Sequence, residues 1–247
     1  YYWTEDSTSD GVITQVPTNG QGASPTVLTL GAPWAMASDG QSLYWTTDSG
    51  VSVLACVLSG CAGGPVTLWT GLAQTPYQLT TGVAVDTQSV FWATEPGDII
   101  TCAKSDCARS RKVLALGAGP AAQIAIDDTN VYWTISQPLG LGAVRKCAKA
   151  GCNNSPTTLV SGLSSAHGIA TDAVNVYWAE LGNGGCCVGG TGVGRVAKCS
   201  VNGCNLPTTL AGGLTNPEGI VVDANNVYWT TRGTTNTNSG QVMMMAK

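Results

Sequence analysis

Charged side chains are scarce in this chain, and so are the groups on which acid–base catalysis usually depends. Charged residues make up 11% of its 247 residues, and there is a single histidine, His167. The net charge is −4 at pH 7. A nucleic-acid-binding surface needs a basic face, so we expect no nucleic acid partner. No apolar run approaches the roughly 18 residues that a membrane-spanning helix needs, so we expect no membrane insertion.

Glycine and small polar residues are abundant instead. The sequence holds 32 glycines, and Ser, Thr and Asn supply most of the remaining polarity. This composition is typical of a β-rich protein with many turns, and it leaves little material for solvated helices.

An aromatic phrase recurs along the whole chain, and its tryptophans lie 41 to 51 residues apart. A period of about 40–50 residues made of short strands is typical of propeller blades. The copies are Tyr1-Tyr2-Trp3-Thr4, Leu43-Tyr44-Trp45-Thr46, Val90-Phe91-Trp92-Ala93, Val131-Tyr132-Trp133-Thr134, Val176-Tyr177-Trp178-Ala179 and Val227-Tyr228-Trp229-Thr230.

Each repeat divides into four predicted strands, A to D. Strand A is a short apolar run that ends in aspartate, and strand B is the aromatic phrase. Strands C and D follow, as in 142–147 and 156–160. Aspartate favours tight turns because its side chain can bond the backbone two residues on. We therefore interpret these aspartates as A–B turn residues before metal ligands or catalytic groups: Asp39, Asp86, Asp127, Asp172 and Asp223.

The strand order predicts an all-β fold, a six-bladed β-propeller of four-stranded antiparallel blades. The order is B-C-D, then four A-B-C-D units, then A-B-C, so the terminal blades are incomplete. We expect a single domain, 1–247, with blades near 1–31, 32–73, 74–119, 120–163, 164–214 and 215–247. Either the segment belongs to a longer chain or the ring closes with 22 strands, and we favour the longer chain.

The combination of Ile-Ala-x-Asp with Tyr-Trp-Thr, as in 124–127 and 132–134, resembles a known family. It is similar to the YWTD repeats of low-density-lipoprotein-receptor-type six-bladed propellers and to related secreted bacterial propellers of unassigned function. The resemblance implies the architecture rather than a function. The family's aspartate after Tyr-Trp-Thr is replaced here by Glu5, Thr47, Thr94, Ile135, Glu180 and Thr231.

Eight of the ten cysteines form C-x4-C pairs, each across the C–D turn of one blade. Adjacent antiparallel strands bring such residues to disulfide distance, and each bridge should contribute roughly 2 kcal/mol. Zinc would need two pairs to converge on one site, so we favour disulfides and a secreted, periplasmic or cell-surface location. The pairs are Cys56/Cys61, Cys102/Cys107, Cys147/Cys152 and Cys199/Cys204.

The last two cysteines, Cys186 and Cys187, are adjacent in a glycine-rich loop and most simply bond to each other. Their Cα atoms would be about 3.8 Å apart, below the usual disulfide range of roughly 4.4–6.8 Å, so the ring would be strained. Such a bridge either serves function or merely stiffens the loop. The loop is the longest of its kind, because 21 residues separate Trp178 from Cys199 against 10 to 14 in blades two to four.

This long B–C loop predicts a ligand face, because strand A begins on the same face of a blade. The residue five before each strand-A aspartate should lie there: Trp34, Thr81, Ala122, His167 and Glu218. An insertion, 74–78, adds Tyr77. The expected ligand-binding set is Trp34, Tyr77, Thr81, His167, Cys186, Cys187 and Glu218, although a lone histidine is more often structural.

Three functions are compatible with this pattern. The first is an extracytoplasmic binding module for a glycan, peptide or partner protein, and the second is a structural repeat of a surface or filament protein. The third is a calcium-dependent, lactonase-like hydrolase, for which Glu5, Asp6, Asp48, Glu95, Glu180 and Glu218 are the carboxylates in reach. We favour the binding module and expect no catalytic residue, metal or cofactor, since general bases are few and no Gly-x-Ser-x-Gly motif occurs.

Overall fold

The computed structural model describes residues 2–5, 12–15, 26–30, 33–47, 52–58, 64–71, 79–117, 119–182, 193–232 and 239–247. The chain forms two compact units. Unit 1 comprises Tyr1–Glu95 and Ile99–Val113, and unit 2 comprises Pro96–Asp98 and Leu114–Lys247.

Three antiparallel sheets begin in unit 1. The first contains β1 (Tyr2–Glu5), β2 (Val12–Gln15) and β3 (Thr26–Leu30). The second contains β4 (Pro33–Ser38), β5 (Ser42–Thr47), β6 (Ser52–Val57) and β7 (Val66–Thr70). The third contains β8 (Thr80–Val85), β9 (Ser89–Thr94), β10 (Ile99–Ala103) and β11 (Lys112–Ala115), with the short helix α1 (Cys107–Ser110) before its last strand.

Three further antiparallel sheets lie in unit 2. They contain β12 (Ala121–Ile126), β13 (Asn130–Ile135), β14 (Gly142–Ala148) and β15 (Thr157–Leu163), then β16 (Ala166–Thr171), β17 (Asn175–Glu180), β18 (Val193–Ser200) and β19 (Thr208–Thr215), then β20 (Pro217–Val222), β21 (Asn226–Thr231) and β22 (Gln241–Ala246). Within each sheet the strands pair in chain order. This succession of small up-and-down sheets confirms the predicted all-β propeller fold.

Repeat tryptophans pack between neighbouring sheets in both units. In unit 1, Trp92 of β9 lies in one apolar cluster with Tyr44 and Val53 of the preceding sheet, and its ring centroid is 5.7 Å from that of Trp69. In unit 2, Trp178 of β17 clusters with Leu159 of β15. Burial of such aromatic side chains supplies much of the energy that holds one sheet against the next.

The strand-A aspartates are turn residues, as the sequence predicted. In each A–B turn one carboxylate oxygen accepts the backbone N–H groups two and three residues on. The other oxygen of Asp39, Asp127, Asp172 and Asp223 accepts the hydroxyl of the tyrosine five residues on. The aspartate therefore ties the turn to strand B of its own hairpin.

Three of the predicted cysteine pairs are disulfides in the structure: Cys102–Cys107, Cys147–Cys152 and Cys199–Cys204. Their Cα atoms are 4.8, 5.4 and 5.7 Å apart, within the usual range. In the first of them α1 fills the connection between strands C and D. Cys61, the predicted partner of Cys56, lies outside the described residues.

Candidate functional site

A β-bulge marks the start of strand A in five sheets. The pairing with strand B shifts register between Pro33 and Met36, and the same shift recurs in β8, β12, β16 and β20. A bulge bends its strand and re-aims the side chains that lie in it. The five predicted ligand-face positions fall within these bulges: Trp34, Thr81, Ala122, His167 and Glu218. We call this end of a blade, where strand A begins and strand B ends, the strand-A end.

The threonine of the aromatic phrase holds the bulge in place. The hydroxyl of Thr46 accepts the N–H of Ala35 at 3.1 Å, and Thr230 accepts that of Gly219 at 3.0 Å. Thr134 accepts the N–H of Gln123 at 3.2 Å and donates to the carbonyl of His167 in the next sheet at 2.5 Å. This one buried hydroxyl therefore fixes two neighbouring bulges of unit 2.

His167 and Glu218 occupy equivalent positions of neighbouring A strands in unit 2. The two strands approach closely, because a Cβ atom on Gly168 would overlap the carbonyl of Glu218. Burial lowers the pKa of His167, Arg232 lowers it further, and the Glu218 carboxylate opposes both. Glu218 holds Arg232 through two bonds of 2.6 and 3.0 Å. The net effect lowers the pKa of His167, which favours the neutral imidazole beside the Glu218–Arg232 ion pair.

The other predicted positions differ in exposure. In unit 1, Trp34 is 45% exposed, whereas the hydroxyl oxygen of Thr81 is buried without a hydrogen-bond partner among the described residues. In unit 2, Ala122 is buried. Tyr77, Cys186 and Cys187 lie outside the described residues.

The sequence did not predict that Glu180 and Arg195 lie together, yet they form an ion pair with further hydrogen bonds at the strand-A end of unit 2. Glu180, at the end of β17, is 5% exposed and accepts the indole N–H of Trp178 at 3.0 Å. Its Oε1 also lies 2.7 Å from Nε and 2.7 Å from Nη2 of Arg195 on β18. Nη1 of Arg195 donates to the hydroxyl of Thr209 on β19 at 3.2 Å.

A cleft of about 340 Å³ opens over this ion pair. Its walls come from the ends of β17, β18 and β19 and from the turn before β16: Ser164, Glu180, Gly182, Val193, Gly194, Arg195, Thr209, Gly212 and Gly213. Gly182 and Val193 are in close contact, since a Cβ atom on Gly182 would overlap the carbonyl of Val193. These two residues flank segment 183–192, which lies outside the described residues.

The ion pair departs from the repeat. At the position of Glu180, two residues after the tryptophan, β1 carries a second carboxylate, Glu5, but its partner on the adjacent strand is Val12 and not an arginine. The other four sheets carry buried neutral side chains there: Thr47, Thr94, Ile135 and Thr231. The indole N–H groups of Trp45, Trp92, Trp133 and Trp229 have no hydrogen-bond partner among the described residues, unlike that of Trp178. A carboxylate two residues after the tryptophan, in the repeat with the longest B–C loop, is the sequence signal that points to this cleft.

The opposite end of the blades, at the A–B turns, carries a different set of charges. Nζ of Lys247 lies 2.7 Å from Oδ2 of Asp172, and Lys104 contacts Asp39 in the same way in unit 1. Burial raises the pKa of Asp172, but the lysine and the turn N–H groups outweigh it and hold that pKa well below its usual range. Burial and the same carboxylate raise the pKa of Tyr177 to about 12. The two lysine–aspartate pairs connect one sheet to the next.

In the part of the chain that the structure describes, no three His, Cys, Asp or Glu side chains converge as a metal site would require. None of the described helices has the length and apolar character needed to cross a bilayer.

Solved structures of other proteins share this fold. A chain of a nidogen/laminin complex superposes with a TM-score of 0.71 at 19% identity, covering 98% of this chain and 88% of that one. A putative TolB from Agrobacterium tumefaciens gives 0.62 at 13% identity over 100% and 86%. Regucalcin from the same organism, described as a calcium-binding protein, gives 0.58 at 11% over 81% and 67%. No protein-family model and no curated protein sequence matches the chain. At these identities the likeness shows the β-propeller fold alone.

Proposed function

We propose that the protein is an extracytoplasmic binding module that contacts its ligand, a glycan, peptide or partner protein, at the strand-A end of unit 2. The observation that carries the proposal is the cleft over Glu180 and Arg195. Binding sites are commonly built where loops and bulges of a rigid scaffold differ from the repeat. This cleft combines the Glu180–Arg195 ion pair with the longest B–C loop of the chain. His167 stands at the same end of this sheet, and the Glu218–Arg232 pair stands at the same end of the next sheet of unit 2.

The location outside the cytoplasm rests on the cysteines. Three disulfides close C–D connections in successive repeats, and such bonds persist in oxidising compartments. We also infer a six-bladed ring of YWTD-like repeats, which the six aromatic phrases and the six sheets of described strands support.

Trp34 and Thr81 occupy the corresponding strand-A positions of unit 1, and their part in binding stays a prediction. The same holds for Tyr77, Cys186 and Cys187. An exposed tryptophan is a common contact for ligands because it buries a large apolar face with little loss of conformational entropy.

The experiment is a screen of the purified, oxidised protein on glycan and peptide arrays, followed by variants at the two ends of the blades. Arg195→Gln and Arg232→Gln remove the guanidinium groups at the strand-A end. Arg109→Gln is the matched control, since Arg109 lies on α1 with its side chain 90% exposed. We expect binding to fall only for the first two. Binding that survives both, or no binder on either array, would refute the proposal.

A further inference from the structure

The cleft of unit 2 offers hydrogen-bond donors and acceptors side by side. Arg195 has five N–H groups, and its bonds to Glu180 and Thr209 leave at least one on each terminal nitrogen, counting partners among the described residues. Among the described residues, Oε2 of Glu180 accepts only one hydrogen bond, a long one of 3.3 Å from the backbone N–H of Ser164. The hydroxyl of Thr209 can still donate.

The charges at this end of unit 2 cancel in pairs. Arg195 is neutralised by Glu180, and Arg232 by Glu218 at 2.6 Å. An anion drawn to Arg195 would meet the carboxylate of Glu180 beside it, and a cation drawn to Glu180 would meet the guanidinium. A neutral ligand avoids both penalties and still forms charge-assisted hydrogen bonds with either partner.

The shape of the cleft favours a small, flat ligand. Four of its lining residues are glycines: Gly182, Gly194, Gly212 and Gly213. Close backbone contacts require glycine at 182 and 194, whereas a Cβ atom at 212 would have its nearest neighbour 3.9 Å away. The cleft is therefore shallow beside Gly212 because this residue has no side chain, although there is room for one. The volume of about 340 Å³ is at the lower end of the roughly 300–1,000 Å³ of small-molecule sites.

We propose that this cleft binds one sugar ring of a neutral carbohydrate, with vicinal hydroxyls accepting from Arg195 and donating to Glu180. The inference rests on the proposed binding function and names the ligand class of the same site. A sugar hydroxyl both donates and accepts, so a pair of neighbouring hydroxyls matches a guanidinium beside a carboxylate. Charged peptides and acidic glycans fit less well, because their charged groups are not complemented by an ion pair that is already neutral.

Trp178 provides a reporter in direct contact with a residue of the cleft, because its indole N–H donates to Glu180. The ¹⁵N-labelled protein would be titrated with the methyl glycosides of glucose, galactose and mannose and with N-acetylglucosamine. Glucuronate, inorganic phosphate and arginine methyl ester are the charged probes. We expect a saturable shift of the indole signal of Trp178, assigned by triple-resonance spectra, for at least one neutral sugar, while that of Trp133 stays in place.

Two variants test the assigned contacts. Arg195→Gln should weaken the sugar roughly tenfold or more, since it removes a charge-assisted bond. Thr209→Val keeps the ion pair and should weaken binding less. It is the test variant to use if Arg195→Gln perturbs the fold. The unchanged indole signals of the remaining tryptophans report that the fold is intact.

The outcomes separate this inference from the proposed function. If only a charged probe shifts the signal of Trp178, or if only peptides bind on the arrays in a manner that depends on Arg195, the carbohydrate is wrong and the binding module stands. If a sugar binds to Arg195→Gln and to Thr209→Val as tightly as to the unmodified protein, the cleft is not its site. If no sugar shifts the signal and neither array yields a binder, both proposals fail.

Discussion

The ion pair between Lys247 and Asp172 should stabilise unit 2 measurably, because it joins two sheets at a partly buried position. Nζ and Oδ2 are 2.7 Å apart, and the two side chains are 17% and 25% exposed. The ammonium also lies 5.5 Å from the ring centroid of Tyr177. We test the pair with Lys247→Met and Asp172→Asn, singly and together. Methionine keeps the apolar stem, and asparagine keeps the acceptor for the turn N–H groups.

The expected coupling free energy is about 1–2 kcal/mol. Exposed ion pairs contribute roughly 0–1 kcal/mol, and hydrogen bonds to charged groups about 1.5–3 kcal/mol. The partial burial of this pair places it between those ranges. Urea unfolding followed by tryptophan fluorescence gives the four free energies of the double-mutant cycle.

The coupling should also depend on pH. Because the pKa of folded Asp172 lies below its ordinary value of 3.8, the stabilisation is present above that value. It is lost as the pH falls through the lower pKa of the folded state. The double-mutant cycle should therefore give a positive coupling free energy near neutral pH and none in strong acid.

Arg109 and Asp106 provide the matched control. Their atoms are 3.7 Å apart and their side chains are 90% and 46% exposed, so the same cycle with Arg109→Met and Asp106→Asn should give a value near zero. A coupling for Lys247 and Asp172 below about 0.3 kcal/mol, or one that persists unchanged in strong acid, would refute the reasoning.

Three further predictions concern the scaffold. Thr134→Val should cost about 1–3 kcal/mol in urea unfolding, because it removes the buried hydroxyl that bonds both Gln123 and His167, and Thr134→Ser should restore most of the loss. Gly168→Ala should lower the melting temperature markedly, since its Cβ would overlap the carbonyl of Glu218, whereas Gly212→Ala should change stability by less than about 0.5 kcal/mol. Peptide mapping without reduction should link each C-x4-C pair, including Cys56 with Cys61, and partial reduction should open Cys186–Cys187 first. Each prediction has a result that would contradict it. These results are an unchanged free energy of unfolding for Thr134→Val, an equal loss of stability for both glycine variants, and a disulfide that links two repeats.

Features that depend on neighbours in the sequence were determined by the sequence itself. The aspartate of each A–B turn bonds groups two, three and five residues away, so its role follows from spacing alone. The hairpin cysteines are five residues apart, and the alternation of strands follows from the repeat. The predicted β-propeller fold and the turn role of the aspartates were accordingly right.

Contacts between sheets were decided by the tertiary structure. Lys247 and Asp172 are 75 residues apart, and Thr134 and His167 are 33 apart. The rotation and distance between neighbouring sheets bring these groups together, and a repeat period does not encode either quantity. The sequence showed Glu180 as a carboxylate in the repeat with the longest B–C loop. Only the folded chain shows that this carboxylate accepts the indole N–H of Trp178, lies opposite Arg195 on the paired strand and lines a cleft, because those contacts depend on strand register and side-chain rotamers.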